Sequence, residues 1–380
     1  MTQILCLNGG SSSLKFGAYD IGEESRDVSC TMTRCAPFAT DALATFDGIL
    51  AALQRGPGDD VVAVGHRIVF GGPRYALPIR ANVRVLSDLE DLVDIEPLHL
   101  RAELNLVYAA ARRLPEVPQV LCFDTGFHRR APAIARRLPL PQGLDPLLER
   151  YGFHGLSYEY VSSQLGDAPG ATVIAHLGSG ASLCALRDGI PVETTMGFSA
   201  LGGLMMGTRP GDLDPGILLR LLSDGCDLAR LTAMLYRESG LLGVSGTSGD
   251  MKDLLKKEAS DPAASQAVEL FVYQLIKHIG AMVAVLGGLQ TLVFTGGIGE
   301  RAPEIRARAC ASFEYLGLQL DEAANRQNAP VISNPQSLIV AMVVPTDENL
   351  MIARHTLAVL AEDSPARRVP ILGSDQLSPS

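Results

Sequence analysis

Gln3-Ile-Leu-Cys-Leu-Asn8-Gly-Gly-Ser-Ser-Ser13-Leu-Lys15-Phe-Gly-Ala-Tyr19 is the stretch on which the fold turns. Apolar runs at 3–7 and 14–19 flank consecutive small residues, the pattern of a β-hairpin closed by an unusually small, polar turn. The theme returns at Val173–His176 and Leu183–Leu186, around His176-Leu-Gly-Ser-Gly180. With an offset of 169, Gly9 falls on Gly178, Ser13 on Ser182 and Leu14 on Leu183, which points to a duplicated domain. Elsewhere short strands (61–69, 119–124, 291–295, 338–344) alternate with helical periodicity (41–54, 100–113, 262–287, 302–316, 348–361). Pro-rich residues 131–146 read as an irregular connection. This alternation, with Gly-rich turns at strand ends, predicts an α/β protein with mixed sheets. In such folds ligands collect where those turns face a common crevice.

The chain has 380 residues, which implies two domains or three. Hydrophobic residues make up 47% and charged residues 19%, a globular balance with ample core. Lys plus Arg is 32 against 42 for Asp plus Glu, a formal charge of −10, which argues against a nucleic-acid binder. Seven cysteines without a C-x-x-C pair fit reduced thiols in the cytoplasm better than a disulfide frame or a zinc site. The start has no basic n-region, and the apolar stretches are interrupted too often to predict a membrane span.

Three Gly/Ser-rich turns stand out: 8–15, 176–182 and 295–300. Glycine lets backbone N–H groups approach an anion, and a hydroxyl adds a donor at little steric cost. One such turn is what any strand end shows; three, each after an apolar strand, point to nucleotide phosphates. Neither a P-loop nor a G-x-G-x-x-G fingerprint is present. Arg67 beside Gly71-Gly72, and Arg209 in Gly207-Thr-Arg-Pro-Gly211, are placed to match phosphate oxygens. His154, between two glycines, is a candidate donor to a phosphoryl group in transfer. Asp124 and Glu348 are strand-end carboxylates of the kind that hold Mg²⁺, although a helix cap is the plainer reading at 347–348.

Together these segments resemble the acetate kinase family, within the acetate and sugar kinase/actin superfamily. The resemblance rests on Asn8-Gly-Gly-Ser-Ser-Ser-Leu-Lys15, Gly65-His-Arg67, Phe123-Asp-Thr-Gly-Phe-His128, Tyr151-Gly-Phe-His-Gly155, His176-Leu-Gly-Ser-Gly180, Met206-Gly-Thr-Arg209, Gly296-Gly-Ile-Gly-Glu300 and Pro345-Thr-Asp-Glu348. It implies two duplicated actin-like (ribonuclease H-like) domains around a central nucleotide cleft. One is residues 1–128 plus 349–380, on the carboxylate side; the other is 129–348, the ATP-binding lobe. It implies reversible phosphoryl transfer between ATP and acetate, giving acetyl phosphate and ADP, with Mg²⁺ or alternatively Mn²⁺, in a cytoplasmic homodimer.

By the same resemblance, Asp124, His154 and Arg209 are catalytic. Arg67, Val69, Leu98, His99, Phe153 and Ala200 bind the carboxylate. Ser11, Ser13, Lys15, His176, Leu177, Gly178, Ser179, Gly180, Asp250, Met251, Lys252, Gly297, Ile298, Gly299, Glu300 and Arg301 bind ATP, and Asn8 and Glu348 hold the metal. A carboxylate is already ionised at neutral pH and needs no general base, so Asp124 reads as an organiser of the site. The chain departs from the family pattern at Phe70 (usually His), Leu100 (usually Asn), Ser179 (usually Asn), Gly202 (usually Glu), Lys252 (usually Arg) and Arg301 (usually Asn). Ala200, where proline is usual, would widen the acyl pocket towards propionate. The alternatives are another short-chain carboxylate kinase, a sugar kinase with Asp124 as base, and a non-catalytic ATP-binding actin-like protein.

Overall fold

The computed structural model describes residues 2–9, 13–22, 27–37, 41–53, 61–97, 99–166 and 170–362. Its first sheet contains β1 (Gln3–Gly9), β2 (Ser13–Ile21), β3 (Val28–Pro37), β4 (Val61–Ile68), β5 (Ile79–Arg80) and β6 (Gln119–Phe123), in the order β3-β2-β1-β4-β6-β5. The second contains β7 (Ala171–Leu177), β8 (Ala181–Arg187), β9 (Ile190–Thr194), β10 (Thr291–Thr295) and β11 (Val340–Val343), in the order β11-β10-β7-β8-β9. In each, three antiparallel strands (β1–β3, β7–β9) are followed by two parallel ones (β4 and β6, β10 and β11). The first sheet adds only the short edge strand β5. Repetition of one mixed topology is the duplicated, actin-like α/β architecture expected from the two Gly/Ser hairpins.

The residue-level offset needs correction. A shift of 169 would carry the Asn8–Lys15 pair of the first hairpin onto Leu177 and Cys184. In the second hairpin Leu177 pairs instead with Ala181, and Cys184 with Ile174. No single shift therefore preserves the pairing on both strands. Two further expectations change. Gly296-Gly-Ile-Gly-Glu300 is the opening of a helix, Gly296–Arg301, rather than a free turn. The helix expected over 302–316 stops at Ala311, and Glu314–Leu316 is a separate 3₁₀ turn. The irregular stretch at 131–146 contains one short helix, Ala133–Arg136.

β1, β6, β7 and β10 are buried along their whole lengths, as strands covered on both faces must be. The helix Glu348–Glu362 packs on the first sheet: Leu357, Ile352 and Met351 join Ile4, Cys6, Val120 and Cys122 in one apolar cluster. The helix Gly155–Gln164 lies between the sheets. Its Leu156 belongs to that cluster, while Tyr158 and Val161 pack with Ile174, Cys184 and Val293 of the second sheet. Pro262–Leu286 is long and apolar enough, by length and composition, to cross a membrane. Its buried stripe of Ala267, Phe271, Leu275 and Ile279 instead packs with Leu183 and Ala185 of β8 and Leu241, as the central helix of the second lobe.

Candidate active site

Parallel pairing of β4 and β6 sets Arg67 opposite Cys122, so Asp124, just past the end of β6, stands beside the guanidinium. Arg67 Nη2 donates to Asp124 Oδ2 at 2.9 Å, and Nη1 donates to Glu103 Oε1 at 2.9 Å and to the Gly9 carbonyl at 2.9 Å. Burial alone would lower the arginine's pKa; the charges of Asp124, Glu103 and Glu348 outweigh it and the net shift is upward. Glu103, on the helix Leu100–Arg113, also accepts from the Val69 N–H at 2.7 Å. Burial pushes its carboxyl up, against the pull of Arg67 and that amide. With both oxygens on donors, the ionised form is the one this geometry holds.

Asp124 is fully buried and spends its oxygens on the start of the helix Gly155–Gln164. Oδ2 accepts from the His154 N–H at 2.8 Å, and the backbone carbonyl accepts from Gly155 N–H at 2.8 Å. Unpaired N–H groups at a helix start favour such a carboxylate. Asp124 thereby ties Arg67 on the first sheet to His154 on the helix between the sheets.

His154 adopts a left-handed backbone (φ 59°), unusual for a residue with a side chain. Its ring stacks on that of His176, centroids 4.2 Å apart and planes 17° off parallel. Nδ1 lies 2.8 Å from Ser182 Oγ, and Ser157 Oγ lies 2.8 Å from His176 Nδ1. Burial holds His154 well below the usual histidine range, and His176, Arg209 and Arg67 push the same way. His176 is lowered too, chiefly by burial. Arg209 approaches from the second lobe. A Cβ added to Gly180 would sit 2.7 Å from Arg209 Nη2 and 3.2 Å from His154 Nε2, so glycine is what lets both groups reach this turn. Arg209 Nη1 donates to the Ala200 carbonyl at 2.7 Å. No carboxylate lies within ion-pair distance of it among the described residues, and burial lowers its pKa.

From this point a cleft of about 1270 Å³ opens along the second lobe. Gly178, Ser179, Asp250, Met251, Lys252, Gly297, Ile298 and Arg301 line it, with His99 and Arg209. Six of the described residues expected at the nucleotide sit off the lining: Lys15, His176, Leu177, Gly180, Gly299 and Glu300. Leu177 is buried in β7, Gly180 lies under Arg209, Gly299 gives its carbonyl to buried Arg306 at 2.8 Å, and Glu300 accepts from Gly296 N–H at 3.1 Å and Thr346 N–H at 3.3 Å. Asp250 caps the helix Met251–Lys257 through Lys252 N–H at 2.8 Å. Exposed Lys15, opposite Asn8 in the first hairpin, acts electrostatically on His176. Val69, Phe153 and Ala200 belong to one apolar cluster, beside a stack in which Phe70 meets Tyr151 edge-on at 4.6 Å and Phe153 at 6.4 Å. Ser11, Leu98 and the side chain of Ser13 lie outside the described residues, as does the chain beyond Glu362.

For a metal, Asn8 Nδ2 donates to Glu348 Oε2 at 2.8 Å, joining residues 340 apart in the sequence. That bond leaves the Asn8 amide oxygen and the second Glu348 oxygen, hard donors of the sort Mg²⁺ takes. No cluster of three or more His, Cys, Asp or Glu could hold an ion unaided among the described residues. The pair therefore fits an ion that completes its shell with water and substrate phosphate oxygens.

Sequence reasoning missed Glu103, Glu96 and Tyr158, and placed Ser182 in a phosphate-facing turn rather than behind His154. Glu96 is buried and accepts from His99 Nδ1 at 3.0 Å. The available signal was an acid or hydroxyl on an otherwise apolar stripe, as with Glu103 between Leu100 and Leu104.

The family model described as the acetokinase family matches residues 32–354. An acetate kinase of Rhodopseudomonas palustris (strain ATCC BAA-98 / CGA009) is 43% identical over 389 residues, covering 93% of this chain and 97% of its own. The crystal structure of Porphyromonas gingivalis acetate kinase is similar with a TM-score of 0.83 at 32% identity, over 95% of this chain and 100% of that one. A propionate kinase from Francisella tularensis subsp. tularensis SCHU S4 is similar with a TM-score of 0.85 at 31% identity, over 94% and 100%.

Proposed function

This chain belongs to the acetokinase family and is a phosphotransferase, and we propose that it transfers the γ-phosphoryl group of ATP reversibly to acetate, with Mg²⁺. A carboxylate oxygen of acetate forms the new P–O bond while the bond from γ-phosphorus to the β,γ-bridging oxygen breaks. Acetyl phosphate and ADP result, and no proton need be abstracted. The difficulty is bringing two anions together. Bound between Asn8, Glu348 and the phosphates, Mg²⁺ would supply charge neutralisation. Arg209 and His154 Nε2, both facing Gly180, would take up charge developing on the transferring group. Arg67, held by Asp124 and Glu103, would orient the acceptor carboxylate. Val69, Leu98, His99, Phe153 and Ala200 would enclose its methyl group. Ser11, Ser13 and Lys15 would face the phosphates, and the cleft lined by 178–179, 250–252, 297–298 and 301 would hold the nucleoside end.

The observation that carries this reading is the convergence of Arg209 and His154 on Gly180, with Asp124 linking His154 to Arg67. The test is a carboxylate panel with ATP and Mg²⁺, trapping acyl phosphate as hydroxamate. Trapped product that vanishes without Mg²⁺ supports the reading; tight ATP binding with no acyl phosphate from any carboxylate overturns it. A propionate kinase is the second reading, favoured by the similarity to such an enzyme and by the small side chain of Ala200. The same panel decides it by relative kcat/KM. We further propose a cytoplasmic homodimer whose two lobes divide as 1–128 plus 349–380 and 129–348. The seven free thiols and the exposed Leu270 and Tyr273 on Pro262–Leu286 support the compartment and the pairing respectively.

A further inference from the structure

We propose that Ser182 and Tyr158 are positioning residues that hold His154 as the neutral tautomer with its proton on Nε2, so that it meets the transferring phosphoryl group as an uncharged hydrogen-bond donor. The chemical purpose rests on the kinase reading; the geometry does not. Tyr158 sits one turn into the helix Gly155–Gln164 and Ser182 on β8, and both are fully buried. The Tyr158 hydroxyl lies 2.5 Å from Ser182 Oγ, which lies 2.8 Å from His154 Nδ1.

The order of donors along this chain follows from counting protons. A phenol buried this deeply keeps its proton, because ionising it would strand a charge away from water. Among the described residues, Ser182 Oγ is the only acceptor within hydrogen-bonding distance of that hydroxyl. Tyr158 therefore donates to Ser182, and the serine proton is left to donate to His154 Nδ1. That nitrogen must then present its lone pair, so the ring's single proton sits on Nε2. The reverse order, with Nδ1–H donating to Ser182 and Ser182 to Tyr158, leaves a buried phenol proton without an acceptor, at a cost of about 1–3 kcal/mol.

The environment keeps the ring neutral. His176 is stacked on it, Arg209 and Arg67 bring positive charge, and His128 lies beyond. Asp124 contributes an oxygen to the His154 backbone rather than to the ring. Nε2 points at the Gly180 turn, the same point reached by Arg209 Nη2. The opposite tautomer would turn a bare lone pair towards phosphoryl oxygens and repel them. Ser182 and Tyr158 are fully buried and their side-chain hydrogen bonds run to His154 and to each other, so both act through His154.

The test is the nitrogen chemical shifts of ¹⁵N-histidine-labelled full-length protein, with the His154 signals assigned through His154→Gln. These are recorded from about pH 6 to 8 for the parent, Tyr158→Phe and Ser182→Ala. The expected parent spectrum has His154 protonated on Nε2 alone across that range. Both variants shift it towards mixed tautomers and lower kcat about tenfold, with the KM values for ATP and carboxylate changed by less than about twofold. A parent ring protonated on Nδ1 or on both nitrogens overturns the proposal, as does an unchanged tautomer in both variants. If the spectra come out as expected but no acyl phosphate forms, the kinase reading falls and the tautomer assignment stands.

Discussion

The two lobes each bring one guanidinium to the site, and the two are held in opposite ways. Arg67, at the end of β4, is gripped by two buried carboxylates and a carbonyl. Arg209, in a loop of the second lobe, holds one carbonyl and has no ion-pair partner among the described residues. The first cation is outnumbered by its own counter-charges. The second is buried with no carboxylate paired to it among the described residues. On the proposed reading, Arg67 would hold the acceptor and Arg209 would recover its desolvation cost when an anion arrives, so that holding and neutralising are separated.

The largest expected effect falls on the scaffold. Arg67→Ala strands Asp124 and Glu103 without their cation and should lose about 3–5 kcal/mol of stability along with activity. Urea denaturation measures it, and a loss below about 1 kcal/mol would mean that the Arg67–Asp124–Glu103 ion pairs are not structurally central. Arg209→Ala should do the reverse. We expect kcat/KM to fall about 10²–10³-fold while stability stays within about 1 kcal/mol of the parent. Comparable destabilisation in the two variants would erase the contrast between the lobes.

Gly180→Ala sharpens the comparison without removing a charge. The new methyl meets the tips of Arg209 and His154, not Arg67. Displacing those tips by a fraction of an ångström should lower kcat by up to about 10²-fold, with little change in the urea midpoint. Unaltered turnover would show that this turn is not where the two groups act.

Acidification tests the burial of the histidines without removing a side chain. Burial lowers His66 and His128 to about 4 and depresses His154, His176 and His278. The unfolded chain takes up protons near the ordinary value of 6.5, whereas these folded rings do not. Stability is therefore full above 6.5 and falls as pH drops towards 4. His355, raised to about 10 by Glu159 and Cys122 against its burial, works the other way: its contribution is present below 6.5 and fades as pH rises through 10. Denaturation midpoints that stay flat on acidification from about pH 7 to 5 would contradict the neutral histidines.

What could be read in the sequence was what periodicity and turn chemistry mark. The Asn8–Lys15 and His176–Ser182 hairpins, the strand ends bearing Arg67 and Asp124, and the glycine-bordered Arg209 are local patterns, and they lie where the pattern puts them. Glu103 and Tyr158 were not legible, nor was the contact of Ser182 with His154. A buried acid or hydroxyl inside an amphipathic stripe looks like any exposed one until the opposing element is known. For Ser182 that element is a helix 24 residues away, with Tyr158 on it. The failure of the 169 offset has a similar cause, since a shared Gly/Ser composition does not fix which residues pair across the hairpin.

The most direct test of this division of labour is a crystal structure with ADP, Mg²⁺, acetate and a planar anionic mimic of the transferring phosphoryl group. The account predicts the mimic bonded to Arg209 and to His154 Nε2 beside Gly180, with Arg67 still held by Asp124 and Glu103. A mimic bound by Arg67 after it has let go of both carboxylates, with Arg209 turned away, would contradict it.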